Sequence, residues 1–249
     1  MCHAEVPEGQ VTPNVDRQDI AISIGENVDM PATLFSVDSG GPGIVLNTDI
    51  HGPSPFYICL ASRLAVAGFS VLLPDFFFRQ GPAAGPDLES AFARRKSLDE
   101  AQTVRDLDAA TTWLKDKIGG DRVGSLGFCM GGTYSLDLAS LRDDLVTVSY
   151  YGFPEPQATL VMPPPRPLDL VDDLSGPVLA FWGEDDHGIG VEVPVRYATR
   201  AEKVNSEFSY EIVAGVGHAF LGHSQLDDPE DTGAKTWKRT IEHFQRHLV

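Results

Sequence analysis

Residues 123–132 read VGSLGFCMGG, and their reading decides the fold. An apolar run of strand type ends at Phe128, the chain turns at Cys129, and a segment of helical character starts at Met130. Glycines stand two residues before and two after the cysteine, at Gly127 and Gly131. A residue on so sharp a strand-to-helix turn is strained, and side chains at the flanking positions would collide with neighbouring backbone. This is the spacing of a nucleophile elbow, with cysteine where serine is more usual. A helix beginning at Met130 aims its first amides at the sulfur, which stabilises a thiolate. The competing reading is a buried structural cysteine in a tight turn.

The pattern around the elbow is a β pair followed by repeated βα units. DIAISI and DMPATLFSV form two strands about a turn at 25–27, and PGIVLNTDI is an apolar run suited to a strand covered on both faces. FYICLASRLAVAG has helical spacing, FSVLLPDF is a strand, and Leu98, Val104, Leu107, Ala110, Trp113 and Leu114 repeat at helical intervals over 98–118. LVTVSYYGF, PVLAFWG and FSYEIV are further strands, with helices expected over 194–204 and 232–247. The order implies an α/β protein with a mostly parallel sheet and helices on both faces, whose site lies just beyond the C-terminal strand ends. A polar arm, expected to be loose, occupies 1–18, and a single domain spans 19–249. The proline-rich excursion at about 153–173 is a surface loop or a partial cover over the site.

The 249 residues, 42% of them hydrophobic and 22% charged, suffice for one core without disulfides or metal. A net charge of −17 argues against nucleic-acid partners and against anionic membrane surfaces. The three cysteines, Cys2, Cys59 and Cys129, are too few and too scattered for a disulfide framework. The first residues have neither the basic patch nor the apolar core of a secretory signal, and no segment reaches membrane-span length. A reduced, cytoplasmic compartment is the expectation.

A thiol nucleophile needs a base. His218, in GVGHAF after the last strand, is placed to reach the edge that carries Cys129, with His223 in reserve. His3, His243 and His247 fall in the arm or the last helix and are expected at the surface. The strand PVLAFWG releases Glu184, Asp185 and Asp186 into one loop, and either aspartate could orient the histidine. The order nucleophile, acid, histidine is that of α/β-hydrolases. The oxyanion donors are expected to be the Met130 amide and the Ile50 amide, with His51-Gly52 a turn or a substrate contact. No HExxH-like spacing is present, so neither metal nor another cofactor is expected.

LNTDIHG, LLPDFFFRQGP, VGSLGFCMGG, SYYGF, FWGEDDHG and AGVGHAF together resemble the dienelactone hydrolases (carboxymethylenebutenolidases), a cysteine-based branch of the α/β-hydrolase fold, over roughly residues 20–247. The resemblance implies a triad of Cys129, Asp186 and His218, oxyanion amides at Ile50 and Met130, and Asp49 as the group that tunes the resting cysteine. It favours Asp186 over Asp185 because the family's acid directly precedes a histidine. Arg79 takes the place of an arginine that binds the substrate carboxylate, and His51 and Tyr151 fall among the substrate contacts. Two positions depart from the family: Asp49 replaces a glutamate, and Gly222 replaces a second carboxylate-binding arginine. Arg166 is a candidate replacement for the latter. The expected activity is cysteine-dependent hydrolysis of a small ester or lactone, carboxylate-bearing if Arg79 grips it, by a monomer or small homo-oligomer. The alternatives are a binding or regulatory protein on a hydrolase scaffold and a redox-sensing thiol with Cys59 as partner.

Overall fold

The computed structural model describes residues 3–36, 40–156 and 166–249. Its strands are β1 (Asp16–Gly25), β2 (Val28–Ser36), β3 (Gly43–Asn47), β4 (Ser70–Pro74), β5 (Val123–Phe128), β6 (Leu145–Tyr150), β7 (Val178–Gly183) and β8 (Phe208–Val213). The helices are α1 (Pro55–Val66), α2 (Leu88–Lys96), α3 (Glu100–Ile118), α4 (Met130–Leu141), α5 (Pro167–Leu170), α6 (Glu192–Val204) and α7 (Thr232–Leu248). One sheet runs in the order β1-β2-β4-β3-β5-β6-β7-β8. β1 and β2 pair antiparallel, as do β2 and β4, and every pairing from β4 to β8 is parallel. The expected β pair and βα repeat are therefore present.

Strand alternation sorts the core onto two faces. Ile44 and Leu46 join the cluster containing Phe56 and Leu60 of α1 and Trp237 and Phe244 of α7. Val45, between them, joins Leu107, Ala110 and Leu114 of α3 and Tyr134 of α4. In β7, Leu179 and Phe181 face the first cluster, while Ala180 and Trp182 pack with Tyr197 and Ala198 of α6. Helix boundaries follow local chemistry. The Asp99 side chain accepts the Gln102 N–H at the start of α3, and Gly119 ends that helix in the left-handed region (φ 73°).

Three expectations are corrected. α2 was absent from the sequence reading because Ala91 is its only buried residue, which leaves no apolar period. From residue 3 onward the arm is not loose: His3 and Gln10 are buried, the Ser54 hydroxyl donates to the His3 carbonyl at 2.6 Å, and Gln10 Nε2 contacts Cys59 Sγ at 3.8 Å; residues 1 and 2, Cys2 among them, lie outside the described residues. His243 is buried at the sheet face of α7, not exposed. Of the proline-rich excursion, residues 157–165 lie outside the described residues; Arg166 begins a capped turn into α5.

The register collects the loops that matter on one edge. Asn47 pairs with Gly127, Gly127 with Ser149, and Tyr150 with Phe181. The residues just beyond these ends are Asp49 and Ile50, Cys129, Tyr151 and Asp186, with His218 after β8.

Candidate active site

Cys129 is the hinge between β5 and α4, at φ 56° and ψ −120°, a backbone conformation that a side-chain-bearing residue adopts only under constraint. The surroundings supply that constraint. Its N–H donates to the Tyr150 carbonyl at 3.0 Å, and its carbonyl accepts the Thr133 N–H at 3.0 Å. Asn47 Nδ2 donates to Ser125 Oγ (3.2 Å) and Ser135 Oγ (2.9 Å), tying β3, β5 and α4 together beneath the turn. The flanking glycines are obligatory. A Cβ on Gly127 would lie 2.1 Å from the Gly131 carbonyl oxygen, and one on Gly131 would lie 2.2 Å from that of Thr48. Cys129 packs in one cluster with Tyr151, Ala219 and Phe220, the neighbours of His218.

His218 Nδ1 lies 2.7 Å from Asp186 Oδ2. Asp186 Oδ1 accepts the N–H groups of Gly188 (3.0 Å) and Ile189 (3.2 Å), so the acid is anchored on both oxygens. Asp186 is buried while Glu184 and Asp185 are exposed, which separates the two aspartates that the sequence left close. His218 is partly open, its ring 5.1 Å from that of Tyr151 and 5.4 Å from that of Phe153. His223 is exposed.

The loop after β3 turns tightly: the Gly52 N–H donates to the Asp49 carbonyl at 3.1 Å, with Gly52 at φ 71°. Arg94 holds the Ile50 carbonyl at 2.9 Å. Among the described residues no acceptor takes the Ile50 N–H, or the Met130 N–H at the first position of α4. The carboxylate of Asp49 is fully buried. Its Oδ1 accepts the His51 N–H (2.8 Å), and its Oδ2 accepts the His3 N–H (2.6 Å) and lies 3.1 Å from His3 Nδ1. Burial pushes this carboxyl up, but the hydrogen bonds from His3 and His51 outweigh it and hold the group below its ordinary value.

His3 is the residue that sequence reasoning missed. The residue is 2% exposed, and its ring stacks on Phe56 with centroids 4.3 Å apart and places Nε2 2.9 Å from the Tyr151 hydroxyl. Burial lowers its pKa, against the pull of Asp49. A lone histidine in a polar arm carries no periodic signal. Gly222 is its long-range counterpart, since a Cβ there would meet His3 Cδ2 at 2.4 Å. The space beside Gly222, where the resemblance leads one to expect a second arginine, is occupied by the His3 imidazole.

The remaining expected contacts are distributed differently. Arg79 is bidentate on Asp106, Nε to Oδ2 at 2.9 Å and Nη2 to Oδ1 at 3.0 Å, so a substrate carboxylate would have to compete with that pair. Arg166 is buried and ion-paired to Glu100, so it offers no open guanidinium. Tyr151 is fully buried behind His218, with φ 42°. His51 contributes its main chain to the Asp49 turn. A cleft of about 930 Å³ is lined by Leu88 and Phe92 of α2, Arg95, Phe153, Ile189 and Val193, and it adjoins His218 through Phe153, whose ring lies 5.4 Å from the imidazole. Among the described residues no group of His, Cys, Asp and Glu is arranged to hold a metal ion, and no helix is long and apolar enough to cross a membrane.

The model of the Dienelactone hydrolase family matches residues 30–248. A carboxymethylenebutenolidase of Rhodococcus opacus is 37% identical over 224 residues, covering 88% of this chain and 87% of that protein. Carboxymethylenebutenolidase 2 of Cupriavidus pinatubonensis (strain JMP 134) is 32% identical over 212 residues, covering 84% and 86%. A solved structure from Klebsiella pneumoniae subsp. pneumoniae MGH 78578 that carries the dienelactone hydrolase name superposes with a TM-score of 0.79 at 25% identity, over 94% of this chain and 100% of that one. The chain has the α/β-hydrolase fold and belongs to the dienelactone hydrolase family.

Proposed function

We propose that this protein hydrolyses small esters or lactones by thiol catalysis, with Cys129 as nucleophile, His218 as base and Asp186 as the residue that orients the base. The observation that carries the reading is the conjunction of a strained Cys129 on a glycine-framed elbow with His218 held by Asp186 at 2.7 Å on the same sheet edge. His218 takes the thiol proton and Cys129 Sγ attacks the carbonyl carbon. The amides of Ile50 and Met130 receive the negative oxygen; each such donor contributes about 3–4 kcal/mol in comparable sites. The intermediate collapses to a thioester, and His218 returns the proton to the departing alkoxide. His218 then deprotonates water, which attacks the thioester and releases the acid and the free thiol. Asp186 holds the imidazole in the tautomer that carries its proton on Nδ1 and presents Nε2 to the reaction.

The cleft beside His218 is the seat of the substrate body. Its apolar lining from Phe92, Phe153 and Ile189 suits a hydrocarbon or aryl portion, and Arg95 in the lining is paired with Glu100 at 3.6 Å. The Arg79–Asp106 pair and the imidazole against Gly222 favour neutral esters and lactones over carboxylate-bearing ones. Turnover of an aryl acetate by the protein and by Cys129→Ala tests the reading. Loss of turnover in the variant, with the fold retained, is expected; undiminished turnover refutes the mechanism.

A further inference from the structure

We infer that His3 is a positioning residue for this hydrolysis: the arm's imidazole fixes both the Asp49–Ile50 peptide, which supplies one oxyanion donor, and the Tyr151 ring behind His218. The inference rests on the thiol-hydrolase reading above.

The direction of the Ile50 N–H follows from the turn. All peptide bonds in the described residues are trans, so the Ile50 N–H points opposite to the Asp49 carbonyl. That carbonyl is held by the Gly52 N–H, which sends the Ile50 N–H away from the turn. Rotation of this peptide unit would swing the donor off its target. Rotation is opposed at the next carbonyl by Arg94 and at the Asp49 side chain by His51 and His3. Of these holds, the imidazole also reaches the other half of the site. Its Nδ1 faces the Asp49 carboxylate at 3.1 Å, and its Nε2 faces the Tyr151 hydroxyl at 2.9 Å and the Ala219 carbonyl at 3.2 Å. Tyr151 in turn packs 5.1 Å from the His218 ring. One buried ring therefore joins the oxyanion loop to the base. Stacking on Phe56 and the Ser54 hydroxyl on the His3 carbonyl hold the ring in place. Gly222 leaves the room for it.

The test compares His3→Phe, His3→Asn and Gly222→Ala in the full chain. Phenylalanine keeps the stack on Phe56 but removes both ring nitrogens. Asparagine keeps a donor near the Nδ1 position, and alanine at 222 displaces the ring without touching the arm. Two quantities are read on folded protein: kcat and KM for an aryl acetate, and the rate at which iodoacetamide alkylates Cys129. Alkylation displaces iodide at a tetrahedral carbon and builds no oxyanion, so it reports the thiol alone. For His3→Phe and Gly222→Ala the expected result is a fall in kcat of roughly 10- to 100-fold. KM and the alkylation rate should stay within about twofold, and His3→Asn should recover most of kcat. Any one of three results overturns the inference: kcat unchanged in His3→Phe or Gly222→Ala, kcat and alkylation falling in parallel, or an asparagine variant no better than phenylalanine. Cys129→Ala is run alongside. Activity surviving there sinks the thiol-catalysis reading on which the inference rests, whereas an inactive Cys129→Ala beside a fully active His3→Phe sinks only the role of His3.

Discussion

Gly131→Ala tests the elbow by replacing one hydrogen with a methyl group. The new Cβ would stand 2.2 Å from the Thr48 carbonyl oxygen, 2.3 Å from that of Asn47 and 2.6 Å from the Asn47 carbonyl carbon. Comfortable C···O contact begins at about 3.3 Å, so the end of β3 and the start of α4 must part by roughly 1 Å. All three obstructing atoms are backbone, so no side chain can swing aside. Overpacking of this kind costs about 1–3 kcal/mol of stability. The same parting moves Thr48, and with it Asp49 and Ile50, away from Met130, separating the two proposed oxyanion donors. A displacement of 1 Å at reacting groups costs about 10²-fold in rate. Urea denaturation and kcat for an aryl acetate are the assays. Gly25→Ala is the control, because a Cβ there meets nothing within 4 Å, and it should change stability by less than about 0.5 kcal/mol. A Gly131→Ala protein with stability and kcat both unchanged would refute the close-approach argument.

Three other outcomes are expected. Asp186→Asn removes the charge that orients and supports His218, and should lower kcat by about 10²-fold or more while iodoacetamide still reaches Cys129; full activity would assign the acid elsewhere. Arg79→Gln leaves buried Asp106 without its cation, with the Gln102 amide still on Oδ1, so it should lower the melting temperature yet leave kcat/KM for a neutral ester within about threefold; a selective loss with carboxylate-bearing esters would restore Arg79 as an anion reader. His243, pushed down to about 4 first by burial and then by His247, is neutral when folded and binds its proton more readily when unfolded. Its contribution is therefore complete above about pH 6.5 and is lost as pH falls toward 4, on the order of 3 kcal/mol in total. Urea midpoints from pH 7 to 4.5 should fall more steeply for the wild type than for His243→Gln, and equal slopes would exclude this residue as the cause.

The elbow was legible because its signature is local, two glycines within five residues, although the backbone that excludes a Cβ at Gly131 belongs to Asn47 and Thr48. Strands β3 to β7 were legible because every residue in them is buried and none is charged, so each reads as a largely apolar run. What stayed hidden depends on distant pairs. Asp185 and Asp186 look alike in sequence, and only the N–H groups of Gly188 and Ile189 and the turn around them bury one and expose the other. Arg79 stands where an anion reader is expected, but Asp106, 27 residues away on α3, already holds its guanidinium. His3 meets Asp49, Tyr151 and Ala219 across 46, 148 and 216 residues, separations that no periodicity can report. α2 escaped notice for the opposite reason, because a helix with one buried residue has no pattern to read.

The most direct measurement is the mass of the protein quenched in acid during steady-state turnover of an aryl acetate, followed by peptide mapping. The account predicts a protein heavier by one acetyl group, with the adduct on the peptide that carries Cys129 and absent from Cys129→Ala. An acetyl group found on another residue, or turnover that continues in Cys129→Ala with no adduct at all, would contradict it.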